Sequence, residues 1–282
     1  MRIQHNIAGI NSYRNLGVNQ RNLSKNLEKL SSGFRINRAG DDAAGLAISE
    51  AMRSQINGLN QAAKNADDAI GLIQTAEGAL TETHSMLQRM KTLTTQSANG
   101  TYTSDARDNI QAEMNQLAKE ITRIAETTEF SGVKPLSSTV TTMSFQIGVD
   151  ASLVGGVNVN RLEIESKKMD ADSLDLMKDK DNAIEVNTVD KALDALDTIE
   201  KAITSVSSYR AELGAAQNRL EHTVNNLNVT SENITAAESR IRDTDMADEM
   251  TAFTKNNILA QAAQSMLAQA NAQPQGILSL LQ

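Results

Sequence analysis

"MRSQINGLNQAAKNADDAIGLIQTAEGALTETHSML", residues 52–87, sets Met52, Ile56, Leu59, Ala63, Ala66, Ile70, Ile73, Glu77, Leu80, His84 and Leu87 at alternating steps of four and three. A mostly apolar stripe of period 3.5, held without a slip, is the seam of a helix that packs lengthwise on other helices. Extended from Gly45 to Ala98, this helix measures about 80 Å at 1.5 Å rise per residue. One helix cannot bury such a stripe alone. The rest of the chain therefore has to supply its partners.

On the N-terminal side, "SSGFRINRAGDDAAG" (31–45) interrupts the pattern, with Gly33, Gly40 and Gly45 as breakers and Asp41 or Asp42 as the N-cap. Before it, Ile3, Ile7, Ile10, Tyr13, Leu16, Gln20, Leu23, Leu27, Leu30 and Phe34 follow steps of three and four. The run of threes around Ile10 to Leu16 is a stammer, which overwinds a coil locally. On the other side, "NGTYTSD" (99–105) reads as a turn with a new N-cap. A third helix follows, with Ile110, Met114, Leu117, Ile121 and Ile124 on its seam, ending near Gly132 and Pro135.

The period then drops to two. In "MSFQIGVD" Met143, Phe145, Ile147 and Val149 share one face. "VNVNRLEIE" alternates as Val157 and Val159, then Leu162 and Ile164, with a phase slip near Asn160 that suggests a bulge. Two strands joined through "ASLVGG" make a hairpin. The acidic stretch from Lys167 to Asn187 is weakly patterned and reads as a surface loop. Heptads resume with Val189, Leu193, Leu196, Ile203, Val206, Leu213, Leu220, Val224 and Leu227, and Ile234 and Ile241 carry them toward the end.

The expected fold class is mainly α: an elongated antiparallel helical coiled-coil rod with a small β-hairpin. The chain doubles back at the hairpin, so its ends lie side by side. The expected divisions are an N-terminal helical arm (1–40), one half of the rod (41–136), the hairpin and variable loop (137–187), the other half of the rod (188–235) and a C-terminal helical arm (236–282).

Composition supports long helices over a ring-packed globule. Of the 282 residues 2% are aromatic, with no Trp, and only two are Pro. The net charge of −8 argues against a general nucleic-acid binder. With no Cys, disulfides and thiolate metal sites are excluded. The stretch "MRIQHNIAGINSYRN" (1–15) has no apolar core of the length a secretory signal requires.

The last 27 residues, Asn256 to Gln282, contain no charged side chain, although charged residues make up 22% of the chain. Gln261, Gln264, Gln269, Asn271, Gln273 and Gln275 interrupt every window long enough for a membrane span. Leu259, Ala263, Met266 and Ala270 form a helix seam instead. The uncharged remainder suggests further faces buried against partners that accept amides but not charges.

No catalytic pattern emerges. His5, His84 and His222 lie apart, without a metal, phosphate-loop or nucleophile motif around them. Asp41 and Asp42, and the group Asp243, Asp245, Asp248 and Glu249, lack calcium-loop spacing and read as caps and ion-pair partners. The expectation is a protein that is not an enzyme and takes no cofactor.

"SSGFRINRAGDDAAGLAISEAMRSQI" (31–56) closely resembles the N-terminal region of the bacterial flagellin family. "YRAELGAAQNRLEHTVNNL" (209–227), "ESRIRDTDMADEM" (238–250) and "ILAQAAQSMLAQANAQPQGILSLLQ" (258–282) resemble its C-terminal signature. The likeness covers about residues 1–136 and 188–282. With only about fifty residues between, it is that of a short member without outer variable domains.

The resemblance implies a structural subunit that polymerises into the hollow extracellular filament of the flagellum, with termini that fold on assembly. It implies a polymerisation core of Ile3, Ile7, Ile10, Leu16, Leu23, Leu27, Leu30, Phe34, Leu259, Ala263, Met266, Leu267, Leu278 and Leu281. It implies as partners further copies of the chain, an export chaperone, the flagellar type III export apparatus, the filament cap and the hook-associated junction proteins. "LQRMKTLTTQSANGT" (87–101) resembles the segment contacted by the host flagellin-sensing toll-like receptor, with Gln88, Arg89, Leu93, Gln96 and Glu113 at the matching positions. Lys91 and Thr92 stand where many strong agonists carry Arg and Glu. Within the family the alternative is a hook–filament junction protein. Outside it, the alternative is a coiled-coil translocator or signalling protein.

Overall fold

The computed structural model describes residues 6–137, 142–149, 153–154, 157–158, 160–179 and 182–280; residues 153–154, 157–158, 179 and 274–280 are described by backbone alone. The elements are α1 (Ile7–Ser32), α2 (Ala43–Ser97), α3 (Ser104–Thr127), β1 (Thr142–Gln146), β2 (Leu153–Val154), β3 (Val157–Asn158), β4 (Arg161–Glu165), β5 (Met177–Asp179), β6 (Asn182–Ala183), α4 (Val189–Arg242) and α5 (Met246–Leu280). This is the mainly helical chain with small antiparallel β elements that the heptads imply. It divides into two compact units, Met1–Ile56 with Glu232–Gln282, and Asn57–Ser231. The bounds of these units fall inside α2 and α4. The first turns of α2 belong with the end of α4, to which they are tied by Arg53–Glu238 at 2.9 Å and Arg242–Glu50 at 2.5 Å.

In the unit Asn57–Ser231, α2 runs antiparallel to α4. Asn60 meets Ser231, Glu77 meets Arg210 and Lys91 meets Glu200. The same helix runs antiparallel to α3, with Arg89 on Glu113 and the Phe130 ring against Gly71. Packing on two sides demands two buried rows. One is the row that the sequence reading places on the seam: Leu59, Ala66, Ile73, Leu80 and Leu87 are buried. The other is not. Ala62, Ala69, Ala76, Thr83, Met90 and Ser97 are buried, while Ile70, Glu77 and His84 are only half-buried.

On α4 the outcome is the same. Ala192, Ala195, Ile199, Ala202 and Val206 point inward, and Leu193 is 54% exposed. Small side chains let helix axes approach closely, so burial follows geometry before it follows hydropathy. The buried hydroxyls of both rows find carbonyl acceptors. Thr83 and Thr94 donate to the carbonyls of Ala79 and Met90, and Ser97 donates to the Val186 carbonyl at 2.6 Å. On α3 the row is Ile110, Met114, Ala118, Ile121 and Ala125, with Leu117 and Ile124 at its margins.

β1 pairs with β4 in antiparallel register, Thr142 opposite Glu165 and Phe145 opposite Leu162. Met143, Leu162 and Ile164 cover the helices. The pairing continues at Ile147, whose N–H donates to the Asn160 carbonyl at 2.8 Å. The phase slip near Asn160 is a break between two strand pairs, since β2 and β3 pair separately beyond it. Of the connection 151–156 only Leu153 and Val154 lie within the described residues. Val149 leaves the inner face and is 39% exposed.

The stretch from Lys167 to Asn187 is not a surface loop. Met169, Ala171, Leu174, Leu176, Ala183 and Val186 belong to the core. Asp172 and Asp175 point outward and mask that pattern, while Asp170 is buried with Lys168 at 2.7 Å and accepts from Ser173 N. α3 stitches the segment down with side-chain amides: Asn115 Oδ1 accepts from Ala183 N, Gln111 Oε1 accepts from Val186 N, and Gln111 Nε2 donates to the Ile184 carbonyl. Tyr209, almost wholly buried on α4, donates to the Glu165 carbonyl at 3.3 Å, and burial pushes its phenol pKa up.

Adjacent residues on α4 separate the geometric from the hydropathic account. Ala192→Leu is expected to destabilise the chain by about 1–3 kcal/mol through overpacking. Leu193→Ala should change stability by no more than about 0.5 kcal/mol. Thermal unfolding followed by circular dichroism compares them.

Glu185 supplies a pH test. Hydrogen bonds from Lys178 and Lys191 hold its carboxyl at a pKa of about 2, below the unfolded value. A depressed carboxyl stabilises the fold above its unfolded pKa, and that contribution fades as pH falls toward the folded value. Glu185→Gln is therefore expected to narrow the stability difference between pH 6 and pH 3, read as the shift in unfolding midpoint.

Candidate functional site: the paired terminal helices

α1 begins at Asn6, whose Oδ1 accepts from Gly9 N at 3.0 Å. It ends at Gly33, which takes φ +75° and donates its N–H to the Lys29 carbonyl at 2.8 Å, a left-handed cap that suits glycine. α5 begins after Asp245, whose carboxylate accepts from Ala247 N and Asp248 N. Asp42 does the same for α2 through Gly45 N. Asp41 accepts from the backbone of Arg38 and Asn37, and the Arg38 bond leads in drawing its pKa down. Asp42 and Asp245 are thus helix caps, and Asp41 fastens the loop that precedes α2. No cluster of three or more His, Cys, Asp or Glu suited to a metal ion occurs among the described residues.

α1 and α5 pair antiparallel. At one end Asn6 Nδ2 donates to the Ala270 carbonyl at 2.7 Å, and at the other Lys29 stands 3.6 Å from Glu249. Their shared seam is small and partly polar. On α1, Gly9 and Asn26 are buried, with Leu16, Leu23 and Leu30 half-buried between and beyond them; on α5, Ala270 is buried and Ala263 and Leu267 are half-buried. Asn26 Nδ2 is buried without a hydrogen-bond partner.

Other large apolar residues face elsewhere. Ile7, Ile10 and Tyr13 are 60%, 59% and 70% exposed. Val18, Leu27, Met246, Met250, Ile258, Leu259 and Met266 are exposed too. The heptad reading of the tail thus mixed two faces. Ala263 and Ala270 lie on the α1 side, while Leu259 and Met266 face outward.

The expected assembly residues divide accordingly. Leu16, Leu23, Leu30, Ala263 and Leu267 are half-buried along the pair; Ile7, Ile10, Leu27, Leu259 and Met266 are exposed. Ile3 and Leu281 lie outside the described residues, and at Leu278 only the backbone of α5 is described. Met246, Met250 and Ile258 join the exposed set and were missed, although their apolar character at helical spacing was readable.

The two helix breaks meet. Arg35 N donates to the Arg242 carbonyl at 2.7 Å and Thr244 N to the Gly33 carbonyl at 3.0 Å, bridging Phe34 to Asp243. Phe34 is half-buried, with the guanidinium carbons of Arg242 and Arg53 at 4.8 Å and 5.7 Å from its ring centre.

A second exposed surface lies near the α2–α3 turn. Gln88, Arg89, Gln96 and Glu113 are exposed, and Arg89 pairs with Glu113 at 2.8 Å. Gln96 donates to the Tyr102 hydroxyl at 2.9 Å beside an open cleft of about 680 Å³. Leu93 does not share this surface: it is 3% exposed and packs in the core.

Residues 3–141 match the bacterial flagellin N-terminal helical region and residues 196–281 the bacterial flagellin C-terminal helical region. The chain is 52% identical to a flagellin of Bacillus subtilis and 50% identical to one of Halalkalibacterium halodurans, each match covering all of both chains. A putative flagellar hook-associated protein from Vibrio parahaemolyticus shares the fold with a TM-score of 0.56 at 14% identity, over 72% of this chain and all of that one. No described helix is long and apolar enough to cross a membrane. With both terminal regions matched and half of all positions shared with full-length relatives, the chain belongs to the bacterial flagellin family, the structural subunits of the flagellar filament.

Proposed function

We propose that the exposed apolar faces of α1 and α5 are the surface through which copies of this chain stack in the filament. One observation carries the reading: the two helices present Ile7, Ile10, Tyr13, Ile258 and Met266 to solvent while pairing through Gly9, Asn26, Ala263 and Ala270. Apolar area of that kind associates when a matching surface is offered. The charge-free stretch from 256 to 282 supports neighbours on several sides, since no buried ion would have to be paired.

The same seam supports folding on assembly. A pair that fully buries only small residues and an unpartnered amide, and leaves Leu16, Leu23, Leu30 and Leu267 half-covered, gains only part of the burial its apolar residues offer, and isolated helices are marginal in water. The neighbouring copies supply the missing burial, so the arms are stable helices in the filament and fray in a lone subunit.

The filament is extracellular. Passage there through the type III apparatus, with a chaperone covering the arms beforehand, accords with a chain that has no disulfides to undo. Cap and junction proteins would meet the same stripe at filament ends. The immune-receptor reading rests on the exposed Gln88, Arg89, Gln96 and Glu113; Leu93 contributes to that surface through the packing beneath it.

Deletion of residues 258–282 is expected to abolish seeded polymerisation, scored by electron microscopy, with the helical signal of Asn57–Ser231 retained. Normal filaments from the truncated chain would refute the assignment. Asn26→Leu should stabilise the α1–α5 pair by about 1–3 kcal/mol by removing the unpartnered amide, seen as slower amide exchange in α1; unchanged or faster exchange would count against the seam described above.

A further inference from the structure

The sequence contains Asn-Gly twice, at Asn57–Gly58 and at Asn99–Gly100. Both asparagines are exposed. Their backbones differ. Asn57 and Gly58 lie inside α2, where the glycine N–H is committed to the helical ladder. Asn99 and Gly100 lie in the turn between Ser97, the last residue of α2, and Ser104, the first of α3. There the Gly100 N–H carries no hydrogen bond among the described residues, and nothing stands within 4 Å of the place a Cβ would occupy. The side-chain carbonyl of Asn99 accepts a long hydrogen bond, 3.3 Å, from Thr101 N, which draws electron density from Cγ.

We propose that Asn99 is a site of spontaneous deamidation in the folded chain and that Asn57, with the same neighbour, is not. The step needs only water. The Gly100 backbone nitrogen gives up its proton to solvent base and bonds to Asn99 Cγ. The Cγ–Nδ2 bond breaks and the nitrogen leaves as ammonia, so the product is a five-membered succinimide. Water then opens the ring at either carbonyl, giving an aspartyl or an isoaspartyl linkage, with no change of oxidation state. The attacking nitrogen must swing toward its own side chain. Glycine at position 100 permits that swing because it has no Cβ and a broad choice of φ and ψ. In α2 the same motion requires the helix to open first.

The product acts on a built feature. Arg107 holds the turn by donating to the Ser97 carbonyl at 3.0 Å and the Asn99 carbonyl at 3.2 Å. A carboxylate at 99 adds negative charge at the carbonyl end of α2, where the helix dipole already disfavours it. An isoaspartyl linkage adds Cβ to the main chain between Asn99 Cα and Gly100 N and turns the Asn99 carbonyl that accepts from Arg107 and Tyr102 into a side carboxylate. Either product alters the α2–α3 turn beside the cleft lined by Gln96 and Tyr102.

The test uses the full chain held at mildly alkaline pH, digested with trypsin at intervals. The peptides Thr92–Arg107 and Ser54–Lys64 are quantified by mass spectrometry, with fragmentation to place the converted residue. Isoaspartyl groups are counted by enzymatic methyl transfer. In the folded chain conversion at Asn99 should run at least roughly tenfold faster than at Asn57, because attack at Asn57 waits on local opening of α2. In denaturant the two rates should converge, and Gly100→Val, which the open surroundings accommodate, should suppress conversion at Asn99 alone. Equal rates in the folded chain, or an Asn99 as durable as Asn57, would overturn the proposal.

Discussion

How closely two helices can approach is set by the smallest side chains between them, and in this chain that limit decides what is buried. By the pairs Asn60–Ser231, Glu77–Arg210 and Lys91–Glu200, buried Ala62, Ala69 and Ala76 on α2 stand level with the stretch of α4 that buries Leu213, Leu220 and Leu227, and buried Ala192, Ala195 and Ala202 on α4 stand level with the stretch of α2 that buries Leu87, Met90 and Leu93. Strands, stitched segment and turns are all fastened to that helical bundle. A methyl group at the centre of such a contact shapes the structure more than a leucine at its margin.

The same rule explains why the sequence could be read for architecture better than for faces. The number of long helices, their breaks at Gly33 and Asp243–Asp245, and the β1–β4 hairpin follow from period, caps and glycines, which are local signals. The companion row on α2 does not, because Ala, Thr and Ser give little hydropathic contrast against Ile70 or His84. Only the presence of two partner helices selects it. The stretch from 167 to 187 fails for a related reason: its inward residues are spaced irregularly by β5 and β6, so no single period reveals them beneath the acids. In the terminal pair, local patterning located the apolar residues but could not say which would meet the other helix and which would stay outside.

The two halves of the chain put opposite chemistry into the same heptad grammar. Between Asn57 and Ser231 the rows are closed: both faces of α2 are covered, and even the hydroxyls within find carbonyls. Along α1 and α5 the row is open. The helices bury glycine, alanine and asparagine and half-bury Leu16, Leu23, Leu30 and Leu267, while Ile7, Ile10, Tyr13, Ile258 and Met266 have no intramolecular cover. In the proposed assembly the closed rows hold the unit Asn57–Ser231 together, and the open row of α1 and α5 is left for neighbouring copies.

The clasp of Gly33, Phe34 and Arg35 with Arg242, Asp243 and Thr244 has a mechanical meaning. Both crossings between the long helices and the terminal ones occur at one level and are tied by backbone hydrogen bonds, with an aromatic ring between two guanidinium groups. Neither crossing can flex without straining its twin. Load applied to either extremity of the polypeptide is therefore shared across a doubled joint, and the terminal pair bends as one lever instead of two loose threads.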